Sequence, residues 1–373
     1  MADDRSIPET RVLAIASHAC SYVGNTMATF IMQALGCEVS AINTVHYIKG
    51  RKTTADEILE LYDGLKQSYL NNFDVLLSGY MPSAEAVQAV GKIGRDLRFN
   101  ASGRPGSFFW ALDPVMGDQG RCYVPENEIP EYKALLREAD LILPNQFEAE
   151  LLSSTKIKNI PTLATAIETL HRTYQIPHII ITSLRLSPVD GTITPDAETN
   201  PTHLTIIGST ARADHSPRLF RVDVPALPLF FSGTGDMFAA LTVARLREAS
   251  AHVNLLDTSS WRSPDDVPAA DLPLARAVER VLESMQAVLK KTLRAYEKEM
   301  ATLEAEDERA GLSANSEGER DREVKRHLRR MRASEVRVVR NVGDLVLRET
   351  GEEREKFPAT EVAVDASGLS TPL

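Results

Sequence analysis

Short runs of β-branched and aliphatic residues, apolar at nearly every position, alternate with helical patterns through the first two-thirds of the chain. Arg11–Ser17 (RVLAIAS) reads as the first strand and Gly24–Leu35 as the helix after it. Ser40–Val45, Val75–Gly79, Phe108–Asp113, Leu141–Leu143 and His178–Thr182 continue the strands, and Thr53–Tyr69, Ala84–Phe99, Phe147–Leu152 and Thr162–Tyr174 the helices. A strand without a polar face must be covered on both sides, and only a sheet lying between two helix layers does that. The fold class is therefore α/β, with a mostly parallel central sheet and helices on both faces. Leu204–Gly208 and Leu219–Val224 read as a late antiparallel pair beyond a Pro/Thr/Asp/Asn-rich surface loop, Leu184–Thr202.

The C-terminal third has a different texture. From Leu272 the apolar positions Val278, Val281, Leu282, Met285, Val288, Leu289 and Leu293 recur every three or four residues, as in an amphipathic helix. Glu304–Arg322 is charged or small and reads as a solvated linker. Lys325–Arg340 is locally basic, and a charged helix leading into a short strand, Glu335–Arg340, is favoured over a contact with RNA or membrane. The organisation expected is a tail over residues 1–10, one α/β domain over 11–300, a charged insertion over 301–334, a final strand of the domain within 335–342, and a flexible tail over 343–373.

Forty-two Lys and Arg stand against 52 Asp and Glu, a formal charge of −10, which argues against a general nucleic-acid binder. Nothing approaches the ~20 consecutive apolar residues of a membrane span. The opening MADDRSIPET lacks the basic and apolar regions of a secretory signal. Cys20, Cys37 and Cys122 form no CxxC pattern. A reduced, intracellular protein is the expectation, in the cytoplasm or alternatively the nucleus.

The stretch richest in chemistry is Phe230–Ala240, FFSGTGDMFAA. Glycines let successive backbone N–H groups converge on one point, and the helix that follows adds its positive N-terminal end. Such a turn holds an anion, and a carboxylate in it accepts a proton from an attacking hydroxyl; the plainer alternative is a tight loop with Asp236 as an ordinary helix-start residue. Four further segments place polar groups at strand C-terminal ends, where a parallel sheet puts its ligands. Ser17 and His18 close the first strand, Asp113 in DPVMGD closes another with Asp118 five residues on, Asn145 and Glu148 follow Leu141–Leu143, and Thr182 and Ser183 follow His178–Ile181. Together they suggest a Mg–nucleotide site beside a small-molecule pocket.

The same residues carry a resemblance. SHACSYVGN (Ser17–Asn25), INTVHY (Ile42–Tyr47), LSGYMPS (Leu77–Ser83), DPVMGDQGRCYVPE (Asp113–Glu126), LPNQFEAELLS (Leu143–Ser153), IITS (Ile180–Ser183) and FSGTGDMFAA (Phe231–Ala240) resemble, in order across residues 11–300, the pyridoxal kinases of the ribokinase-like superfamily, and most of all the fungal form. The resemblance implies phosphorylation of the 5′-hydroxymethyl group of pyridoxal, pyridoxine or pyridoxamine by ATP with Mg²⁺, and K⁺ as a further ion, in a homodimer that uses neither nucleic acid nor membrane. It implies Asp236 as the base and the N–H groups of Gly233, Thr234 and Gly235 as the anion hole. Asp118 and Glu148, with Asn145, resemble residues that hold Mg–triphosphate; Asp113 and Tyr123 lie near the phosphates, and Thr182 and Ser183 on the nucleotide side. Ser17, Val45, Tyr47 and Tyr80 match positions around the pyridine ring. Asp118 and Glu148, both just past strand ends, are expected to serve the nucleotide rather than the core.

Two departures from the family pattern fall on the substrate side. After NTVHY the family continues with a segment resembling SNHTGY before a KG pair, whereas here Tyr47 runs directly into Ile48, Lys49 and Gly50. The ring should be less enclosed and the site wetter. The second, milder departure is Leu143, where some relatives carry a hydroxyl residue. Two other readings stand beside pyridoxal phosphorylation: a hydroxymethylpyrimidine-type kinase using the same base and anion hole, and a catalytically weak nucleotide- or vitamer-binding protein.

Overall fold

The computed structural model describes residues 7–19, 21–46, 50–187, 191–193, 202–309, 319–346, 355–364 and 370–371. Its strands are β1 (Arg11–His18), β2 (Glu38–His46), β3 (Arg51–Lys52), β4 (Val75–Ser78), β5 (Phe109–Leu112), β6 (Gly117–Asp118), β7 (Arg121–Cys122), β8 (Leu141–Ile142), β9 (His178–Leu184), β10 (His203–Thr210), β11 (Leu219–Pro225) and β12 (Thr360–Glu361). Its helices are α1 (Asn25–Ala34), α2 (Ala55–Gln67), α3 (Ala84–Asn100), α4 (Glu128–Leu135), α5 (Gln146–Ser153), α6 (Ile160–Tyr174), α7 (Thr234–His252), α8 (Pro273–Arg309), α9 (Glu319–Ala333) and α10 (Val342–Leu345).

Ten strands form one sheet in the order β12-β11-β10-β9-β8-β5-β4-β1-β2-β3. The run β9-β8-β5-β4-β1-β2 is parallel, and the strands beyond it at both edges are antiparallel. The chain steps from β1 to β2 on one side, then crosses to β4 on the other. This reversal opens a crevice at the strand C-terminal ends, where open α/β sheets bind ligands.

Strand residues alternate between two cores. Val12, Ala14, Val75, Leu77, Phe109 and Ala111 pack under α1, α7 and α8. Leu13, Ile15, Leu76, Trp110 and Leu112 pack under α2, α3, α4 and α6. That division is why β1, β4 and β5 need apolar residues on both faces. Phe109 and Trp261 stack with ring centroids 4.1 Å apart. Several helices start on side-chain caps: Thr54 on α2, Ser83 on α3, and Asn145 and Asn159 with capping boxes on α5 and α6.

The C-terminal third departs from expectation. Glu335–Arg340 is a series of turns rather than a strand. Its buried Val336 and Val338 join the core beneath α7 and α8, and the Arg337 amide donates to Thr292 Oγ1 of α8 at 3.2 Å. The alternation that suggested a strand is satisfied by docking onto a helix. The expected solvated linker is helical at its start, since α8 reaches Arg309, and again in α9; residues 310–318 lie outside the described residues. The expected tail contains α10, where Lys291 bonds Asp344 at 2.8 Å, the buried Phe357, and β12, which pairs with β11 at the sheet edge. The rest of that tail (347–354, 365–369, 372–373), residues 1–6 and most of the expected loop at 184–202 lie outside the described residues, although Leu186 and Ile193 form a bridge within the loop.

The packing of α3 on the sheet yields a test. A Cβ on Gly94 would sit 2.2 Å from the Trp110 ring. Gly94→Ala is therefore expected to destabilise the protein by about 1–3 kcal/mol from overpacking, despite the roughly 1 kcal/mol by which alanine favours a helix interior. Thermal denaturation checks this; a Tm at or above wild type would show that the ring has room to move.

Candidate active site

The C-terminal ends of β1, β4, β5, β8 and β9 and the N-terminus of α7 converge at the crevice. Gly233, in the left-handed region at φ 80°, is the N-cap of α7 and supplies no side-chain cap, so the first-turn amides have no capping side chain. A Cβ there would lie 2.3 Å from the Tyr22 carbonyl oxygen, which restricts the position to glycine, whereas a Cβ on Gly235 would meet open space. The turn is a bare set of N–H donors at the positive end of a 19-residue helix.

Asp236 lies in that first turn. Its Oδ2 accepts a hydrogen bond from the Gly24 amide at 2.8 Å. Burial pushes its pKa up, opposed by the Gly24 amide and by its own. Gly24 adopts φ 57°, and a Cβ on it would lie 2.1 Å from the Ser17 carbonyl oxygen, so the loop that delivers this amide also requires glycine. Next to it, Asn25 Nδ2 donates to the carbonyl oxygens of Ala16 at 3.2 Å and Ile42 at 2.9 Å and to Asn43 Oδ1 at 2.9 Å. It ties the ends of β1 and β2 together. Sequence reasoning did not single out Asn25 or Gly24 as functional, although both sit in the SHACSYVGN segment; a lone Asn after a Gly gave no signal beyond a helix start.

Asp113 follows β5, half-buried, with its amide donating to the Ser78 carbonyl at 2.8 Å. Burial raises its pKa well above the carboxylate range, and the negative charges of Glu148 and then Asp236 add to this. These mutual effects bring the strand-end carboxylates and the α7 carboxylate into one electrostatic cluster.

Glu148 corrects an expectation. It is buried, at 3% exposure, and both carboxyl oxygens are engaged by backbone. Oε1 accepts from the amides of Met116 at 2.9 Å and Gly117 at 3.4 Å, and Oε2 from that of Asn145 at 2.9 Å. Asn145 returns the bond as N-cap of α5 and donates from Nδ2 to the Gly117 carbonyl at 2.7 Å. Glu148 is thus a structural clasp between α5 and the β6–β7 hairpin as well as a charge in the site. Burial drives its pKa up against these amides. Asp118, on that hairpin, is only partly covered, and its Oδ1 accepts from the Gln119 amide at 2.8 Å.

The remaining positions fall around this cluster. Ser17 and Val45 are buried at the ends of β1 and β2. Tyr80 is half-buried beyond β4, and its carbonyl accepts from Thr44 Oγ1 at 2.8 Å, joining β2 to the Gly79–Ser83 loop. Tyr123 is exposed, at 61%, just past the hairpin, and its pKa is raised by partial burial and by Asp118 and Glu148. Thr182 pairs with Asn145 in an isolated bridge, and its amide donates to the Pro144 carbonyl at 3.1 Å. Ser183, exposed, takes φ 59°. Tyr47 lies outside the described residues.

Among the described residues no three His, Cys, Asp or Glu form a protein-only metal cage. Carboxylates that raise the pKa of Asp113 and of Glu148 nonetheless suit a hard cation, and Mg²⁺ takes one or two carboxylates while keeping phosphate and water ligands. The donor set therefore fits Mg²⁺ bound together with a polyphosphate beside the α7 amides. No helix among the described residues is long and apolar enough to cross a membrane.

Residues 104–254 match the Phosphomethylpyrimidine kinase family model. A putative pyridoxal kinase of Schizosaccharomyces pombe is 35% identical over 291 residues, covering 76% of this chain and 85% of the relative. Human pyridoxal kinase is 35% identical over 254 residues, 63% of this chain and 77% of the human protein. The structure of Leishmania donovani pyridoxal kinase in complex with ADP and pyridoxamine superposes with a TM-score of 0.69 at 26% identity, covering 95% of this chain and all of that one. With the strand-end carboxylates, the uncapped glycine turn and the ten-stranded sheet all in one ribokinase-like frame, and with relatives of this identity and coverage, the chain belongs to the pyridoxal kinase family.

Proposed function

We propose that the chain transfers the γ-phosphoryl group of ATP to the 5′-hydroxymethyl oxygen of pyridoxal, pyridoxine or pyridoxamine. The observation that carries this is Asp236, aimed by the Gly24 amide and set in a helix-start turn of free N–H donors. Asp236 takes the proton of the hydroxymethyl group as its oxygen bonds to the γ-phosphorus; the bond from that phosphorus to the β–γ bridging oxygen breaks, and ADP leaves. The amides of Gly233, Thr234 and Gly235 stabilise the charge on the phosphoryl oxygens in flight, the largest contribution such a site makes. When bound, Mg²⁺ would neutralise charge on the triphosphate; Asp118 and the Glu148–Asn145 clasp would hold it, with Asp113 nearby, and the family resemblance adds K⁺ as a further ion. Thr182 and Ser183 would face the nucleotide, Tyr123 the phosphates, and Ser17, Val45, Tyr47 and Tyr80 the pyridine ring. The family resemblance carries the expectation of a cytoplasmic homodimer. Residues 104–254 match the Phosphomethylpyrimidine kinase model, but the relatives and structural neighbours above are pyridoxal kinases, and the hydroxymethylpyrimidine reading is not favoured.

Asp236→Asn is expected to lower kcat by roughly 10²–10⁴ with little change in the KM for ATP. Because the raised pKa of Asp236 must be crossed to obtain the base, wild-type kcat should fall on the acid side at a pH above the ordinary Asp range of about 3.9. A kcat for Asp236→Asn within a few-fold of wild type would remove the assignment.

Asp118→Asn should raise the Mg²⁺ concentration needed for half-maximal rate and leave Tm unchanged. Glu148→Ala should do both: raise the Mg²⁺ requirement and cost about 1–3 kcal/mol of stability, because buried amides lose their acceptor. Mg²⁺ titrations and melting curves on the two variants separate the roles; a Tm for Glu148→Ala equal to wild type would contradict the clasp.

Insertion of an SNHTGY-type segment after Tyr47 is expected to lower the KM for pyridoxal by about 5- to 150-fold, the worth of a hydroxyl contact and better enclosure. It should also reduce ATP hydrolysis without transfer. Equal KM values and equal ATPase backgrounds in the two proteins would show that the shorter connection is harmless.

A further inference from the structure

The turn Ser21–Gly24 touches the candidate site twice. Its Gly24 amide donates to Asp236 Oδ2 at 2.8 Å, and its Tyr22 carbonyl oxygen lies against Gly233, where a Cβ would approach to 2.3 Å. The carboxylate and the glycine turn that starts α7 therefore both take their places from these four residues. Within the turn, the Val23 amide donates to the Ser21 carbonyl at 2.9 Å, and the Tyr22 ring meets Phe30 of α1 edge-on with centroids 6.3 Å apart. The Tyr22 amide finds its acceptor elsewhere in the chain. It donates to Glu335 Oε1 at 3.3 Å, across 313 positions.

Glu335 opens the C-terminal series of turns, and the residues around it are anchored. Ala333, Val336 and Val338 are buried, and the two valines share a core with Met27 of α1 and Met237 of α7. The Arg337 amide donates to Thr292 Oγ1 of α8 at 3.2 Å, and Asn341 Nδ2 donates to the Arg337 carbonyl at 2.8 Å. The half-buried Glu335 carboxyl is thus carried on backbone fixed to α8. A carboxylate that accepts from an amide makes a stronger bond than a neutral acceptor does. Without it the Tyr22 amide must turn to water for a partner.

We propose that Glu335 is a positioning residue for phosphoryl transfer: by holding the Tyr22 amide it fixes the turn that aims Asp236 and backs Gly233. The inference rests on the functional reading above and extends its site to the C-terminal turns. Glu335 acts through Tyr22 and Gly24, not on the reacting atoms. Two consequences follow from loosening the turn. Asp236 loses its aim, and a small misplacement of a reacting group is expensive in rate. The Gly24 amide also offsets the upward push of burial on Asp236, so a weaker bond there leaves the carboxyl harder to ionise. Asp113, across the crevice from Asp236, is unchanged by such loosening.

Glu335→Ala and Glu335→Gln test this, because glutamine keeps an oxygen acceptor and alanine does not. Glu335→Ala should lower kcat about 10-fold, from lost aim, with the KM values for ATP and pyridoxal within about two-fold of wild type. The acid limb of its kcat profile should move to higher pH. Glu335→Gln should recover most of the rate and return the acid limb to its wild-type place, which separates the hydrogen bond from the charge. Amide hydrogen exchange gives a readout independent of turnover: the Gly24 amide should exchange faster in Glu335→Ala than in wild type or Glu335→Gln, with β4 and β5 unchanged. A wild-type kcat in Glu335→Ala, equal losses in the alanine and glutamine variants, or a Gly24 amide that exchanges as slowly as in wild type would overturn the positioning role. Faster exchange throughout β4 and β5 would overturn it too, since the effect would then be general destabilisation. A wild-type protein that never phosphorylates pyridoxal, with exchange at Gly24 still faster in Glu335→Ala alone, would leave the hold on the turn standing and remove the functional reading.

Discussion

One hydrogen bond, from the Gly24 amide to Asp236 Oδ2, joins segments 212 positions apart, and the geometry of the site depends on it. It requires glycine at 24, because the loop turns through φ 57° against the Ser17 carbonyl, and glycine at 233, because α7 starts against the Tyr22 carbonyl. The same bond aims the Asp236 carboxylate and moderates its basicity. Burial raises its pKa while the amide lowers it. The proton-accepting role proposed for Asp236 would need that compromise, since too low a pKa makes a weak base and too high a pKa leaves it protonated.

Around this bond the protein gathers carboxylates, and among the described residues no side-chain cation acts on Asp113 or Asp236. Asp113 feels the charges of both Glu148 and Asp236 across the crevice. Glu148 endures burial because three backbone amides donate to it, an arrangement that spends the carboxylate on holding the β6–β7 hairpin to α5. The folded pKa values of Asp113 and Glu148 lie above those of free carboxylates. Their contribution to stability is therefore present below the ordinary carboxylate range and is lost as pH rises through the raised values. A ligand that brings its own cation relieves this repulsion, so nucleotide binding and stability are linked through the same residues.

The opposite end of the sheet is built for rigidity. Asp140, 2% exposed, accepts from the Trp110 amide at 2.8 Å, from Arg98 Nη2 at 2.7 Å and from Ser260 Oγ at 2.6 Å. The Ser260 carbonyl in turn bonds His178 Nε2 at 2.8 Å, and burial pushes that imidazole's pKa down to about 4, keeping it neutral. This network locks β5, β8, β9 and α3 together far from the chemistry. The strand C-terminal ends it supports carry uncapped amides and crowded carboxylates that a rigid frame must hold apart.

By itself, the sequence determined the sheet and brought out most of the polar residues that the fold gathers at the candidate site. Strands such as VLLS (Val75–Ser78) and FWAL (Phe109–Leu112) are apolar on both faces, and that pattern has one economical solution, burial between helix layers. Asp236, Asp113 and Asn145 were legible because polar groups at the ends of such strands have few structural uses. Glu148 stood out as a candidate site residue but not as a clasp, because its amide partners at Met116 and Gly117 belong to a remote turn. The alternation of Val336 and Val338 looked like a strand, yet α8 offered the apolar surface; Thr360–Glu361, with no apolar pattern, became the edge strand because β11 offered unpaired backbone. Only the tertiary structure decided these. Local pattern records which side chains avoid water, but the partner that removes the water, or that supplies the second half of a hydrogen bond, is chosen by packing between segments distant in the chain.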